Sequence, residues 1–302
     1  MWFIFALIAT IAWGSADLFY KKGSNPNDKY SHLKITIMVG FVMGLHAISY
    51  MIIKGIHFSP FQIIRYFPVS FFYILSMIIG YVGLRYIELS ISSPIQNSSG
   101  AITAILLFVF FRENLGWLKV FSIAIITIGI IGLGVYEKKE EDANRALKGI
   151  IIDKKYQTSF LAIIFPLLYC IIDGLGTFFD ALYLDKLELI SEADALIAYE
   201  LTFLIAAILA LLYITIIKKE HFKVFKEKDK LFAALFETGG QFFYVFALAG
   251  NSIVVAPLIA SYSIVSVILS RIFLKEKLSK KQYFVIGLVV LGIILLGLSD
   301  EL

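Results

Sequence analysis

Apolar runs about 20 residues long recur along the whole chain, each closed by a short cluster of charge, and this alternation limits the fold more than any other feature. Twenty helical residues rise about 30 Å, the thickness of a bilayer core. Hydrophobic residues make up 59% of the chain and its mean hydropathy is +0.85, beyond the roughly 45–50% apolar share of soluble domains. Runs such as AILLFVFF and VIGLVVLGIILLG are apolar on every face, whereas a barrel strand would alternate over about 10 residues. The expected fold is therefore an all-α membrane protein. Spans are placed near 2–20, 33–53, 66–87, 91–111, 117–136, 157–184, 193–217, 231–250, 253–273 and 282–299. The first run has no preceding Lys or Arg and no small-residue cleavage site after it, so it reads as a retained span.

The same pass excludes several function classes. The net charge of +4 lies in the connections and forms no basic face, so no nucleic-acid partner is expected. Cys170 stands alone and reads as a small hydrophobe. His32 and His46 have no partners at metal-ligand spacing and read as interfacial and packing residues, so neither a metal nor a cofactor is expected. No His-Glu-x-x-His or Gly-x-Ser-x-Gly motif supports an enzyme.

The chain also repeats itself. Residues 81–134 align without a gap on residues 244–297, an offset of 163, with 16 of 54 positions identical. Apolar composition inflates such a score, but it does not place Pro94 on Pro257, Ser98 on Ser261 or Glu113 on Glu276. The predicted organisation is a five-helix half over 1–136, a charged loop over 137–156 and a second five-helix half over 157–302. Because five is odd, the second half enters the membrane inverted, as in carriers whose site lies between inverted repeats.

Several features together resemble one family. They are the Trp13-Gly14 pair in the first helix, the Ser-Ser-Pro entry to the fourth, and the turns RENL and KEKL before glycine-bearing helices. Repeated in each half, they are similar to the EamA-type branch of the drug/metabolite transporter superfamily, although the glycine of that family's Gly-Glu-Arg/Lys-Leu turn is absent. The resemblance implies a ten-helix carrier with a cavity lined by helices 1, 3, 4, 6, 8 and 9 and with helices 5 and 10 outside. It names no substrate. Charge sets an orientation: about 21 Lys and Arg fall in or beside the connections after odd-numbered spans, against about 5 after even-numbered ones. The odd connections are expected in the cytoplasm and both termini outside it, whereas the family is usually described with both termini inside.

Acids inside spans mark candidate sites, because each costs about 2.5–3.5 kcal/mol at a helix centre even on mild scales. Asp17 shares a face with Trp13 and Tyr20. In the sixth span Tyr169, Asp173, Thr177 and Asp180 follow helical spacing, as do Glu237, Gln241 and Tyr244 in the eighth. Glu200 lies in the seventh span, Asn97 within the polar run SSPIQNSS and Tyr262 in the ninth. The bland alternatives pair Asp17 with Lys21, pair Glu237 with Lys228 or Lys230, and read SSPIQNSS as a capped helix start with Pro94 in its first turn. Gly40 and Gly44 read as a helix-packing pair.

These acids and their aromatic neighbours predict a secondary active transporter in the cell membrane that moves a small organic solute by alternating access. An amine or other cationic or zwitterionic metabolite is favoured, with protons as a possible coupling ion and the bilayer as the other partner. An exporter of amino acids or neutral metabolites, or a channel or receptor on the same fold, is the alternative.

Overall fold

The structure, a computed structural model, describes residues 1–25, 27–86, 89–111, 116–148, 160–220, 222, 226–274 and 280–298. The RENL and KEKL turns, residues 112–115 and 275–278, lie outside the described residues. The described chain is helical: α1 Trp2–Gly23, α2 Ser31–Lys54, α3 Phe61–Gly83, α4 Leu89–Asn97, α5 Ser99–Phe111, α6 Trp117–Lys148, α7 Phe160–Ala181, α8 Glu192–Leu212, α9 Lys228–Leu248, α10 Ser252–Ala260, α11 Tyr262–Leu274 and α12 Lys280–Leu298. Helices α7 and α8 each run on through one wide π-helical turn, Leu182–Lys186 and Tyr213–Ile217. Eight stretches are long and apolar enough to cross a bilayer, and the shorter apolar stretches Trp117–Gly132 and Tyr283–Leu295 bring the spans to ten.

Two expectations change. Helix α6 continues to Lys148 through much of the 137–156 stretch read as a loop. Spans 4 and 9 are each broken into two helices, α4 with α5 and α10 with α11. Pro94 therefore sits inside α4 and not in its first turn. The breaks fall at Ser98 and Ser261, four residues after Pro94 and Pro257. A proline lacks the N–H that would bond one turn upstream, and at the first break Pro94 O is taken by the Ser98 hydroxyl at 3.0 Å. At both breaks the chain tightens into three-residue turns: Ser98 N–H donates to Ile95 O, and Ser261 N–H donates to Leu258 O. All four residues correspond at the repeat offset. Broken helices at matching places in two halves are the usual mark of a carrier's midplane site.

Packing has the exchange symmetry that a two-fold between halves requires. Span 1 packs on span 8 (α1 on α9) as span 6 packs on span 3 (α7 on α3), while α2 pairs with α8 and α6 with α12 across the axis. Glycines show the same reciprocity. A Cβ on Gly14 would lie 2.5 Å from Val265 Cβ, and one on Gly174 would lie 3.0 Å from Ile102 Cβ. Val265 and Ile102 are themselves repeat equivalents. Gly129 is likewise pressed on Val289, and Gly292 on Ile126, again equivalent positions. Small residues matter here because lipid gives helices no hydrophobic reason to associate, and close backbone packing must supply the attraction. Gly40 and Gly44 serve α2 in this way, against Phe203, Ala207 and Leu204 of α8.

Polarity is arranged inside out relative to a soluble protein. Ile8, Leu45, Ile52, Phe67, Ile105 and Ile208 are exposed, whereas Asp17, Asp180, Glu200 and Glu237 are buried. The outer surface suits acyl chains. The connections after odd-numbered spans define one end of the bundle, called here the basic end, and those after even-numbered spans define the opposite end.

Candidate functional site

A cavity lies between the halves, with about 820 Å³ of empty space that includes its opening to solvent. Spans 1, 3, 4, 6, 8 and 9 line it, with Tyr199 of α8 added, while α6 and α12 contribute no described lining residue. Of the 23 described residues on its wall, three are carboxylates (Asp17, Asp173 and Glu237), seven are tyrosines, and none is Lys, Arg or His.

Each acid is held by hydroxyls. Ser93 of α4 and Ser266 of α11 donate to Asp17 Oδ2 at 2.6 and 2.8 Å, so this carboxylate joins both broken spans to α1. Lys21, its sequence-based alternative partner, donates instead to Leu84 O. Ser99 donates to Asp173 Oδ2 at 2.8 Å, and Ser76 lies at 3.4 Å from Oδ1. Asp173 retains partial exposure, which leaves it open to a guest. Tyr20 donates to Glu237 Oε2 at 3.2 Å, while Lys230 pairs with Glu227. Trp13 is fixed by its indole N–H to Glu237 O at 3.3 Å and fits only because Gly240 has no side chain. Its ring centroid lies 4.9 Å from that of Tyr244 and 5.9 Å from that of Tyr262, a two-sided aromatic wall.

Asn97, Tyr169, Thr177, Gln241, Tyr244 and Tyr262 also line the cavity. Asn97 donates to Ser93 O and Ser93 Oγ, which answers part of its hydrogen-bonding need within its own helix. Two candidates do not reach the wall. Glu200 is fully buried between α8 and α2, where its carboxylate meets His46 Nδ1 at 2.8 Å, so both are clasp residues outside the cavity. His46 thereby makes a hydrogen bond to Glu200 as well as packing contacts. Asp180 is also fully buried, one turn beyond Thr177, and accepts from Tyr66 and Tyr73. The apolar surroundings of both acids in sequence give no hint of these partners, which come from other spans. Sequence reasoning in turn missed Tyr73, Tyr81, Gln96, Ser99 and Tyr199 on the wall. A signal existed for two: Tyr81 aligns on Tyr244, and Tyr66, Tyr73 and Tyr81 recur at seven- and eight-residue spacing on one face. Among the described residues, no His, Cys, Asp and Glu group could hold a metal.

The sequence model of the EamA-like transporter family matches residues 1–135 and 160–298, one segment for each repeat. The chain belongs to that family. An uncharacterized protein of Methanocaldococcus jannaschii is 30% identical over 143 residues, covering 46% of this chain and 98% of the relative, so that relative is about as long as one repeat. UDP-galactose transporter 1 of Arabidopsis thaliana is 29% identical over 96 residues, which span 30% of this chain and only 29% of that protein. A solved crystal structure superposes with a TM-score of 0.68 at 14% identity, covering 98% of this chain and 96% of the other. It shares the fold. Members of the EamA-like family are transporters and not enzymes, so the chain is a multi-pass membrane transporter of small solutes.

Proposed function

We propose that the protein carries a small amine or other cation-bearing organic solute across the cell membrane by alternating access, with a proton as coupling ion. One observation carries this reading: the cavity wall holds three carboxylates and eight aromatic side chains of Trp and Tyr, and no basic residue among those described. Aromatic faces attract a cation by about 0.5–2 kcal/mol each when desolvated, and a carboxylate adds a charge-assisted hydrogen bond to an ammonium. An anion such as a sugar nucleotide would meet like charge at three carboxylates and no basic partner among the described wall residues, so the UDP-galactose of the Arabidopsis relative's name is not carried over to this chain. The broken spans 4 and 9 at the cavity support a rocking mechanism between the halves.

A thermal-shift screen of the purified protein with amines, amino acids, sugars and nucleotides tests the substrate class. Amines should raise the melting temperature, and stabilisation by nucleotides alone would refute the reading. Saturable counterflow of the best amine in proteoliposomes would mark a carrier, and flux that never saturates would mark a channel. The basic end is assigned to the cytoplasm from its excess of Lys and Arg, and a topology reporter fused after Leu302 should read as extracytoplasmic.

A further inference from the structure

Asp180 is not part of the solute site as described, although its neighbours Tyr73, Thr177 and Tyr244 line it. Its carboxylate is 0% exposed and lies beyond the cavity wall towards the end opposite the basic one. Tyr66 donates to Oδ1, and Tyr73 Oη lies 3.2 Å from Oδ2. Tyr73 Oη also lies 2.5 Å from Tyr244 Oη and 3.1 Å from Thr177 Oγ1. Tyr73, Tyr244 and Thr177 all line the cavity, so an unbroken row of hydroxyls runs from the wall to the carboxylate. Among the described residues, the titratable groups facing Asp180 are Tyr66 and Tyr73 from α3, Tyr199 from α8 and Tyr244 from α9, with Asp173 two turns away on α7 itself. None is basic.

We propose that Asp180 is the proton-binding site of this carrier, separate from the carboxylates that meet the solute and reached from the cavity through Tyr244 and Tyr73. This rests on the carrier reading above. A solute cannot touch Asp180 in this state, because Tyr73, Thr177 and Tyr244 stand between. A proton can pass. A hydronium in the cavity gives its extra proton to Tyr244 Oη and becomes water. Tyr244 passes its own hydroxyl proton to Tyr73 Oη, and Tyr73 passes its own to the carboxylate, so both tyrosines end neutral and Asp180 ends as a carboxylic acid. The hydrogen bonds must then rearrange. Tyr73 has one hydroxyl hydrogen, which an ionised Asp180 claims; a protonated Asp180 can donate to Tyr73 instead and free that hydrogen for Tyr244 or Thr177. The proton state of a buried group would thus reach the cavity wall. Because Tyr66 and Tyr73 of α3 and Tyr244 of α9 meet Asp180 of α7 at this end, the same change alters what holds spans 3, 6 and 8 together there.

Infrared titration of the full chain in proteoliposomes, with no solute present, tests this directly. The wild type should show a carboxylic C=O band that grows on acidification, vanishes in Asp180→Asn and persists in Asp17→Asn. Tyr73→Phe should keep the band but slow its deuterium exchange, since it breaks the hydroxyl row while sparing the acid. Should Asp180→Asn not fold, Asp180→Glu should shift the band, and an unshifted band would overturn the proposal. So would a band unchanged in Asp180→Asn, or assignment of the titrating band to Asp17, Asp173 or Glu237. The solute reading stands or falls separately: Asp180→Asn should keep the thermal shift given by the best amine, and its loss would place Asp180 in the solute site. If no amine shifts even the wild type, the substrate class fails while the band still decides the proton site.

Discussion

Glu237 accepts one hydrogen bond from Tyr20 on the cavity wall nearer the basic end, while Asp180 accepts two from Tyr66 and Tyr73 beyond the wall at the opposite end. The repeat relates these clusters. Tyr81 aligns on Tyr244 at an offset of 163, and Tyr20 on Asp180 at 160, so the Tyr20–Tyr81 contact, with centroids 4.6 Å apart, is the counterpart of the Asp180–Tyr244 pair. The halves keep polar groups at equivalent places but put the carboxylate on different helices. The backbone is therefore close to two-fold while the charge is not. A carrier needs equivalent packings to open at either face, and it needs inequivalent charges to bind a solute and a proton differently.

Asp173, on the wall between the two clusters, should give the largest effect. Asp173→Asn keeps the shape and the Ser99 bond but removes the charge, so amine counterflow should fall below detection in protein that still melts cooperatively. Asp17→Asn should reduce it less, because two hydroxyls at 2.6 and 2.8 Å already occupy one oxygen of that carboxylate. Equal losses would make Asp17 a second direct contact. Wild-type flux in both would return these acids to structural roles.

Stability should separate the two ends next. Asp180→Leu strands the hydroxyl of Tyr66, which is buried away from the cavity, at about 1–3 kcal/mol for a buried group left unpaired, and takes one partner from Tyr73, which keeps Thr177 and Tyr244. Glu237→Leu strands only Tyr20, beside a cavity that can hydrate it, so thermal melts in micelles should fall further for Asp180→Leu. Equal shifts would mean that the end at Asp180 is as wet as the cavity. Smaller still is Tyr20→Phe, which deletes one 3.2 Å bond and should weaken amine binding by a factor of about two to twelve if Glu237 needs orientation, about 0.5–1.5 kcal/mol on the usual scale for one bond.

How much of this was legible depends on which contacts define each feature. The repeat and the spans follow from hydropathy and from Pro94, Ser98 and Gly129 recurring at fixed distance, all of which are properties of the chain read in order. The breaks at Ser98 and Ser261 were written as polar and proline residues, but an intact span and a broken one share the same hydropathy. Asp17, Asp173 and Glu237 were visible as acids with aromatic neighbours at helical spacing. Glu200 looked the same and is not on the wall, because its partner His46 lies 154 positions away on α2 and helical spacing cannot see it. Tyr73 was missed for the opposite reason. A tyrosine in an apolar span draws no attention until Asp180, Thr177 and Tyr244 arrive from two other helices.

The smallest effect contrasts the ends through pH. At the basic end the α1–α2 connection is tied by Lys34 Nζ to Asp28 Oδ2 at 2.7 Å, with the Tyr30 N–H on the same carboxylate at 3.0 Å. Partial burial pushes the Asp28 carboxyl up, but the hydrogen bonds from Lys34 and Tyr30 and the Lys34 charge outweigh it and hold the group below its ordinary range. A carboxyl lowered on folding adds stability above its unfolded value and loses it as pH falls through the folded one. Acid should therefore loosen this connection only below the usual carboxylate range, at a cost on the order of 1 kcal/mol for a pair only partly open to solvent. Asp28→Asn should remove that acid dependence from the melting profile and leave the infrared band of Asp180 unmoved. If Asp28→Asn moved the band, the two ends would be coupled through the bundle in the resting state, and the separation drawn between them would fail.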